Sequence, residues 1–239
     1  MSSHKNIAFL VFFRENETLA WKTISEIAYQ MRNSIIDFEI VVVRDGATNE
    51  PQLEKLIELN NINCKILQVQ QSKGVSKAIS YGLEVIDAKY VALIPGHNLF
   101  RLDNLDKIVE SIFFYDFVLC FRMNLFERRP IPKAIGSKML LIFIKFIFYP
   151  YLNGIRDIHG LNIFLKQDLE RYIVSSRGHG NNISIIPSLL YNKSRYTQIP
   201  IEINQLFSDV NSKFFIFPKI SNIAEVIYTA LKVRKSFKN

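Results

Sequence analysis

The stretches EIVVVRDGATNE (residues 39–50) and KYVALIPGHNLF (residues 89–100) decide the fold class of this 239-residue chain. Each is a β-branched apolar run that stops abruptly at a polar turn containing glycine. Open α/β sheets present ligand-contacting groups at the carboxyl ends of their strands in this way. The first junction keeps an acid, Asp45, whereas the second has no carboxylate next to its strand.

The flanking sequence repeats the pattern. NIAFLVFF (6–13) reads as a buried strand, and ETLAWKTISEIAYQMR (17–32) as an amphipathic helix with Leu19, Ile24, Ile27 and Met31 inward. FEIVVV (38–43), CKILQV (64–69) and YVALI (90–94) are further strands. Between them lie PQLEKLIELN (51–60), a helix opened by Pro51, and VSKAISYGLEVI (75–86), a helix following Gly74. Four strands alternating with helices predict a largely parallel sheet with right-handed crossovers. A helix over 103–115, the strand DFVLCFR (116–122), a Pro-containing loop and an apolar helix from 137 to 149 follow. The final third is less regular: strand GLNIFL (160–165), helix QDLERYIV (167–174), a Gly/Asn-rich break at 178–182, a helix near 183–192, strand TQIPIEI (197–203), and a basic C-terminal helix. The expected fold class is a single α/β, Rossmann-like domain over 1–216 with a mostly parallel central sheet flanked by helices, and a basic helical tail over 217–239.

Composition is that of a folded protein, 49% hydrophobic and 22% charged, with 19 Phe and 10 Tyr. The formal charge of +8 favours an anionic partner: nucleotide phosphate, a phospholipid surface or nucleic acid. No RNA-reading motif, zinc-finger spacing or helix-turn-helix pattern stands out, so no nucleic-acid partner is expected. Cys64 and Cys120 lie far apart in apolar runs and read as buried free thiols of a reducing compartment. MSSHKNIAFLVFFREN reads as a first core strand and not as a signal peptide, which predicts a cytoplasmic chain. The run MLLIFIKFIFYPYL (139–152) is interrupted by Lys145 and Pro150 and is shorter than the ~20 residues that span a bilayer. With the basic tail KVRKSFKN it suits peripheral contact with the inner face of the cell membrane, and a buried core helix suits the same run.

FFRENETL, VVVRDGATNE, QSKGVSKAISYGLEVIDAKYVALI and NSKF occur in an order and spacing that resembles family-2 glycosyltransferases of the GT-A fold. The likeness is greatest to the branch that charges polyprenyl phosphates, the dolichol-phosphate mannosyltransferase-like enzymes, and runs from about residue 6 to about residue 216. It implies inverting transfer of a sugar from a nucleotide-diphosphate donor to a polyprenyl-phosphate or glycan acceptor. Glu15 falls on the family's first-strand acid. Arg44, Asp45 and Gly46 fall on its base-binding acidic pair and turn, with Arg44 replacing the first acid and suited instead to phosphate. Lys73 and Gly74 would offer a cation and backbone N–H groups to the nucleotide, and Lys213 a diphosphate contact.

Pro95, Gly96 and His97 stand where the resemblance places a DxD motif, whose carboxylates hold Mg2+ or Mn2+. His97 is left as the metal ligand there, with the Asn98 carbonyl oxygen beside it, a poor set for a hard cation. Arg122, Lys133 and Ser137 match the acceptor-phosphate site, with lysine in place of the second arginine. Asp157 is the general base if the nucleophile is a sugar hydroxyl; an ionised polyprenyl phosphate needs none. An Asp-Gly turn, exposed lysines, a basic loop and a turn-capping Asp account for the same residues without any ligand. The loss of DxD also suits a catalytically silent domain that binds nucleotide sugar, lipid or a partner transferase.

Overall fold

The computed structural model describes residues 5–14, 19–46, 51–59, 61–70, 74–173, 180–204 and 220–237. Its first half alternates strand and helix: β1 (Lys5–Arg14), α1 (Ala20–Met31), β2 (Phe38–Asp45), α2 (Pro51–Leu59), β3 (Cys64–Val69), α3 (Val75–Val85) and β4 (Ala88–Pro95). Then come α4 (Leu105–Glu110), β5 (Phe117–Arg122), the short α5 (Leu125–Arg128), α6 (Ile131–Ile147), β6 (Asn162–Leu165), α7 (Lys166–Tyr172), α8 (Asn181–Tyr191), β7 (Tyr196–Ile201) and α9 (Ile220–Ser236).

Among the described residues the strands form one seven-stranded sheet in the order β3-β2-β1-β4-β6-β5-β7. Neighbours β1, β2, β3 and β4 pair in parallel, as do β5 and β7, while β6 runs antiparallel to both β4 and β5. The chain reaches β6 from the loop at 157–161, whose Leu161 carbonyl accepts the Cys120 N–H near the end of β5. A strand that starts beside its neighbour's finish can only run the other way. The expected single α/β domain is thus present, with one reversed strand.

Helices cover both faces, so the central strands are apolar throughout instead of alternating. Phe9, Val11, Ile40 and Val42 pack with Ile24, Ile27 and Leu53 on the α1–α2 side. Leu10, Val41 and Val43 pack with Ile79, Leu83, Ile144, Ile185 and Val226 on the other. Gly82 lets α3 lie close to β1, since a Cβ there would come 2.3 Å from Leu10 Cδ1.

Ile24, Ile27 and Met31 are buried as the helical spacing predicts, but Leu19 precedes α1 and is half-buried. The helix expected over 103–115 is α4 followed by a 3-10 turn at Ser111–Phe113. The apolar helix begins at Ile131, six residues earlier than expected: the prolines that read as a loop stand before and within its first turn, where a missing N–H costs nothing. Its C-terminal partner α9 is docked, with Val226 and Ala230 buried and Phe237 stacked on Tyr191 at 4.3 Å. Cys120 is buried, and burial pushes its thiol up to about 12. Cys64 is only half-buried, a departure from the sequence reading. Among the described residues no helix is long and apolar enough to cross a membrane.

Candidate active site at the carboxyl edge of the sheet

Because β6 opposes both β4 and β5, those two strands point the same way, as do β1 and β2. Asp45, Pro95 and Arg122 therefore end their strands on one edge of the sheet, and the loop leading into β6 adds Asp157 to it. Four strand spacings separate β2 from β5, roughly 19 Å at ~4.8 Å each.

At the β2 corner the buried Asp45 carboxylate accepts the Gly74 N–H at 3.1 Å. Gly74 directly precedes α3 with φ 90°, a conformation that favours glycine, so the acid is tied to the first turn of that helix. Gly46 donates its N–H to Val69 O at 2.9 Å, and Gln68 Nε2 donates to Gly46 O. Arg44 points to the opposite face, as alternation along a strand requires. It lies buried, with Nη1 on Glu54 Oε1 at 3.2 Å and Nε and Nη2 without a partner. Arg44 and Asp45 thus do not converge on one ligand atom.

At the end of β4, the Gly96 N–H bonds Phe12 O at 2.8 Å, and the Asn98 N–H donates to Thr23 Oγ1 at 3.0 Å. The turn is pinned to α1 by Thr23, which the sequence reading does not single out. His97 sits half-buried in this turn.

The β5 corner is built from charged side chains. Arg122 and Asp157 form a two-pronged pair, Nε to Oδ2 at 2.6 Å and Nη2 to Oδ1 at 3.1 Å, with side chains only 6% and 10% exposed. The Ile158 and His159 N–H groups also donate to Asp157 Oδ1, at 2.8 and 3.1 Å. Burial alone would raise the Asp157 carboxyl. The Arg122 hydrogen bond and charge outweigh it, with help from His159, and hold the group down to about 2.

Beside this pair, Arg129 Nη1 donates to Ser137 Oγ at 3.0 Å. Burial and the nearby Arg122 charge lower the Arg129 guanidinium, offset in part by Asp157. Two guanidinium groups thus share one carboxylate that Arg122 already engages, which leaves a region receptive to an anion. Lys133 lies in the first turn of α6, with its side chain outside the described part. The start of α8 joins the corners: Ser76 Oγ donates to Asn181 Oδ1 at 2.9 Å, and Asn182 Nδ2 to Ile158 O at 2.7 Å.

The sequence matches the model of glycosyl transferase family 2 over residues 8–173. The chain belongs to that family. A search of curated proteins found no match. Among solved structures it is similar to glucosyl-3-phosphoglycerate synthase from Mycobacterium tuberculosis in complex with Mn2+, UDP and glucosyl-3-phosphoglycerate, at 12% identity and TM-score 0.67, over 97% of this chain and 80% of that one. The same enzyme in complex with Mn2+, UDP-glucose and phosphoglyceric acid gives 13% and 0.65, with the same coverage. Mannosyl-3-phosphoglycerate synthase from Rubrobacter xylanophilus gives 14% and 0.64, over 96% and 73%. At these identities the likeness establishes the GT-A fold.

The described donors at the end of β4 are a poor set for a divalent metal. A Cβ on Gly96 would come 2.8 Å from Phe13 Cβ, so a side chain there needs the β1 end to shift. Asn98 keeps a buried Oδ1 without a hydrogen-bond partner, but it and His97 are neutral ligands. Among the described residues no group of three or more His, Cys, Asp or Glu could hold a metal ion. Glu15, Lys73 and Lys213 lie outside the described residues. Arg129, Thr23, Gln68, Ser76, Asn181 and Asn182 are polar residues of this edge that the sequence reading does not single out. The signal for Arg129 is the acid-free run RRPIPKAIGSK, read there only for Lys133 and Ser137.

Proposed function

We propose that this glycosyltransferase moves a sugar from a nucleotide-diphosphate donor to an acceptor that carries a phosphate monoester. The observation that carries the reading is the Arg129–Ser137 contact beside the engaged Arg122–Asp157 pair, on the same sheet edge as Asp45. The donor nucleotide occupies the β2 side, against Asp45, Gly46 and the Gly74 turn, with Glu15, Lys73 and Lys213 as further contacts. The acceptor phosphate is held by Arg129, Ser137 and Lys133. Arg122 lends it charge from within its pair with Asp157.

An acceptor oxygen attacks the anomeric carbon, the bond to the donor diphosphate breaks, and configuration inverts. A carboxyl held near 2 is a weak base at neutral pH, so in this reading Asp157 positions Arg122 and the loop and takes no proton. An ionised phosphate nucleophile needs no base, which favours a polyprenyl phosphate over a glycan hydroxyl. The phosphoglyceric acid named with the mycobacterial structure is another phosphate-bearing acceptor and belongs in the same test.

A turnover assay with UDP- and GDP-sugars, in Mn2+ or in EDTA, tests this against polyprenyl phosphate, phosphoglycerate and an unphosphorylated glycan. Product from a phosphate-bearing acceptor, lost in Arg129→Ala, is the expected result. Equal transfer to the unphosphorylated glycan by both proteins would overturn the acceptor assignment. The replacement of DxD by Pro95, Gly96 and His97 favours a second reading, a silent domain that binds the nucleotide sugar. Nucleotide binding without product across the whole panel is its signature.

A further inference from the structure

The outward face of α6 carries a continuous apolar stripe: Ile131, Ile135, Met139, Ile142 and Phe146, extended past the helix end by Tyr149. At about 100° per residue, the five helical positions fall within roughly 80° of one another. Ile142 is 67% and Phe146 81% exposed, among the largest values for apolar residues in the molecule. All six are at least 46% exposed, which leaves several hundred Å² in water, roughly the size at which an exposed apolar patch marks an interaction surface. Ala134, Leu141 and Ile144 take the other side of the helix and are buried. Ser137, bonded to Arg129, also turns from the stripe by helical spacing, so this surface is distinct from the proposed acceptor contacts.

The charges on α6 share one sign. Lys138 and Lys145, seven residues apart, border the same edge of it. From Arg128 to Arg156 the chain contains no Asp or Glu. At the far end Arg234 of α9 donates to Tyr149 O at 3.4 Å, which brings the basic end of α9, with exposed Lys232 and Lys235, alongside.

We propose that this face docks the protein on an anionic lipid bilayer, with α6 lying in the interface and its apolar stripe among the upper acyl chains. An interfacial helix of this kind gains from buried apolar area and from cations set at headgroup depth. A second copy of the chain is the poorer occupant, because a two-fold contact would bring like cations together with no acid on α6 to answer them. The inference goes beyond the transferase reading and holds for either acceptor.

Flotation of the purified full chain with phosphatidylcholine vesicles, with and without phosphatidylglycerol, at low and high salt, tests it. The paired variant Ile142→Glu/Phe146→Glu should lose binding by about tenfold or more. Lys138→Glu/Lys145→Glu should lose the part that phosphatidylglycerol adds and that salt removes. Unchanged thermal midpoints show that the variants are folded, and nucleotide titration of the same samples reads the transferase proposal separately. Failure of the parent chain to float on any vesicle would overturn the inference, as would equal flotation of the Ile142→Glu/Phe146→Glu variant. So would a dimer that this variant dissociates while the parent chain ignores vesicles.

Discussion

Among the described residues of the β2 side of the sheet edge, the buried acid Asp45 is bound to the Gly74 N–H and Gly46 is held by the Val69 carbonyl. On the β5 side they are side chains, Arg122, Asp157, Arg129 and Ser137, fixed by a buried ion pair and its hydrogen bonds. The difference teaches where this chain has kept preorganised chemistry. A charged cluster whose geometry is set before a ligand arrives loses little order on binding. The β4 end, by contrast, has no carboxylate at residues 95–98 and packs Gly96 against Phe13.

Glycine substitutions separate the β5 corner from the β4 end most strongly. A Cβ on Gly160 would lie 1.5 Å from the Cys120 carbonyl oxygen, a backbone atom with no rotamer to escape into. Gly160→Ala should therefore cost more than about 4 kcal/mol in urea unfolding, or fail to fold. Gly96→Ala meets Phe13 Cβ at 2.8 Å and should cost ~1–3 kcal/mol. A larger loss at Gly96 would reverse the assignment of the rigid side.

Breaking the ion pair comes next. Asp157→Ala leaves the Arg122 guanidinium buried without its partner and should destabilise by ~3–5 kcal/mol. Replacing both residues, Arg122→Met with Asp157→Leu, should return most of that stability while abolishing transfer. Equal losses in the single and double variants would show that packing, not charge, holds this corner.

Acid reads the same pair without mutation. The folded Asp157 carboxyl is held at about 2, below its ordinary 3.8, so folding favours its ionised form. Its contribution of about 2 kcal/mol is fully present above pH ~4 and is lost as pH falls through about 2. Stability measured against pH should show that loss in the parent chain and not in Asp157→Asn. The smallest effect belongs to the β2 side: Asp45→Ala removes one buried acceptor and should cost ~1–2 kcal/mol, with a larger fall in nucleotide affinity than in stability.

The first half of the fold was legible because period and punctuation agree there: apolar runs end at Asp-Gly and Pro-Gly, and amphipathic helices intervene. The direction of β6 was not, since it depends on which edge the preceding loop returns to. The start of α6 was hidden by Pro130 and Pro132, which look like a loop and serve as a helix start. Within the site, the absence of a carboxylate at residues 95–97 could be read directly from the sequence. The Arg122–Asp157 pair joins residues 35 apart across two strands, and the Arg129–Ser137 contact depends on the turn into α6. Arg122 and Asp157 were visible in the sequence as separate candidates, whereas Arg129 was not, and the pairing of Arg122 with Asp157 changes the role of Asp157 in the proposed reaction.

The most direct measurement is a pair of calorimetric titrations, UDP or GDP and then a phosphate-bearing acceptor, on the parent chain, Asp45→Ala and Arg129→Ala. The account predicts a crossed pattern: Asp45→Ala loses the nucleotide and keeps the acceptor, and Arg129→Ala does the opposite. Acceptor binding at full affinity in Arg129→Ala, or loss of both ligands in each folded variant, would contradict a sheet edge divided into donor and acceptor sides.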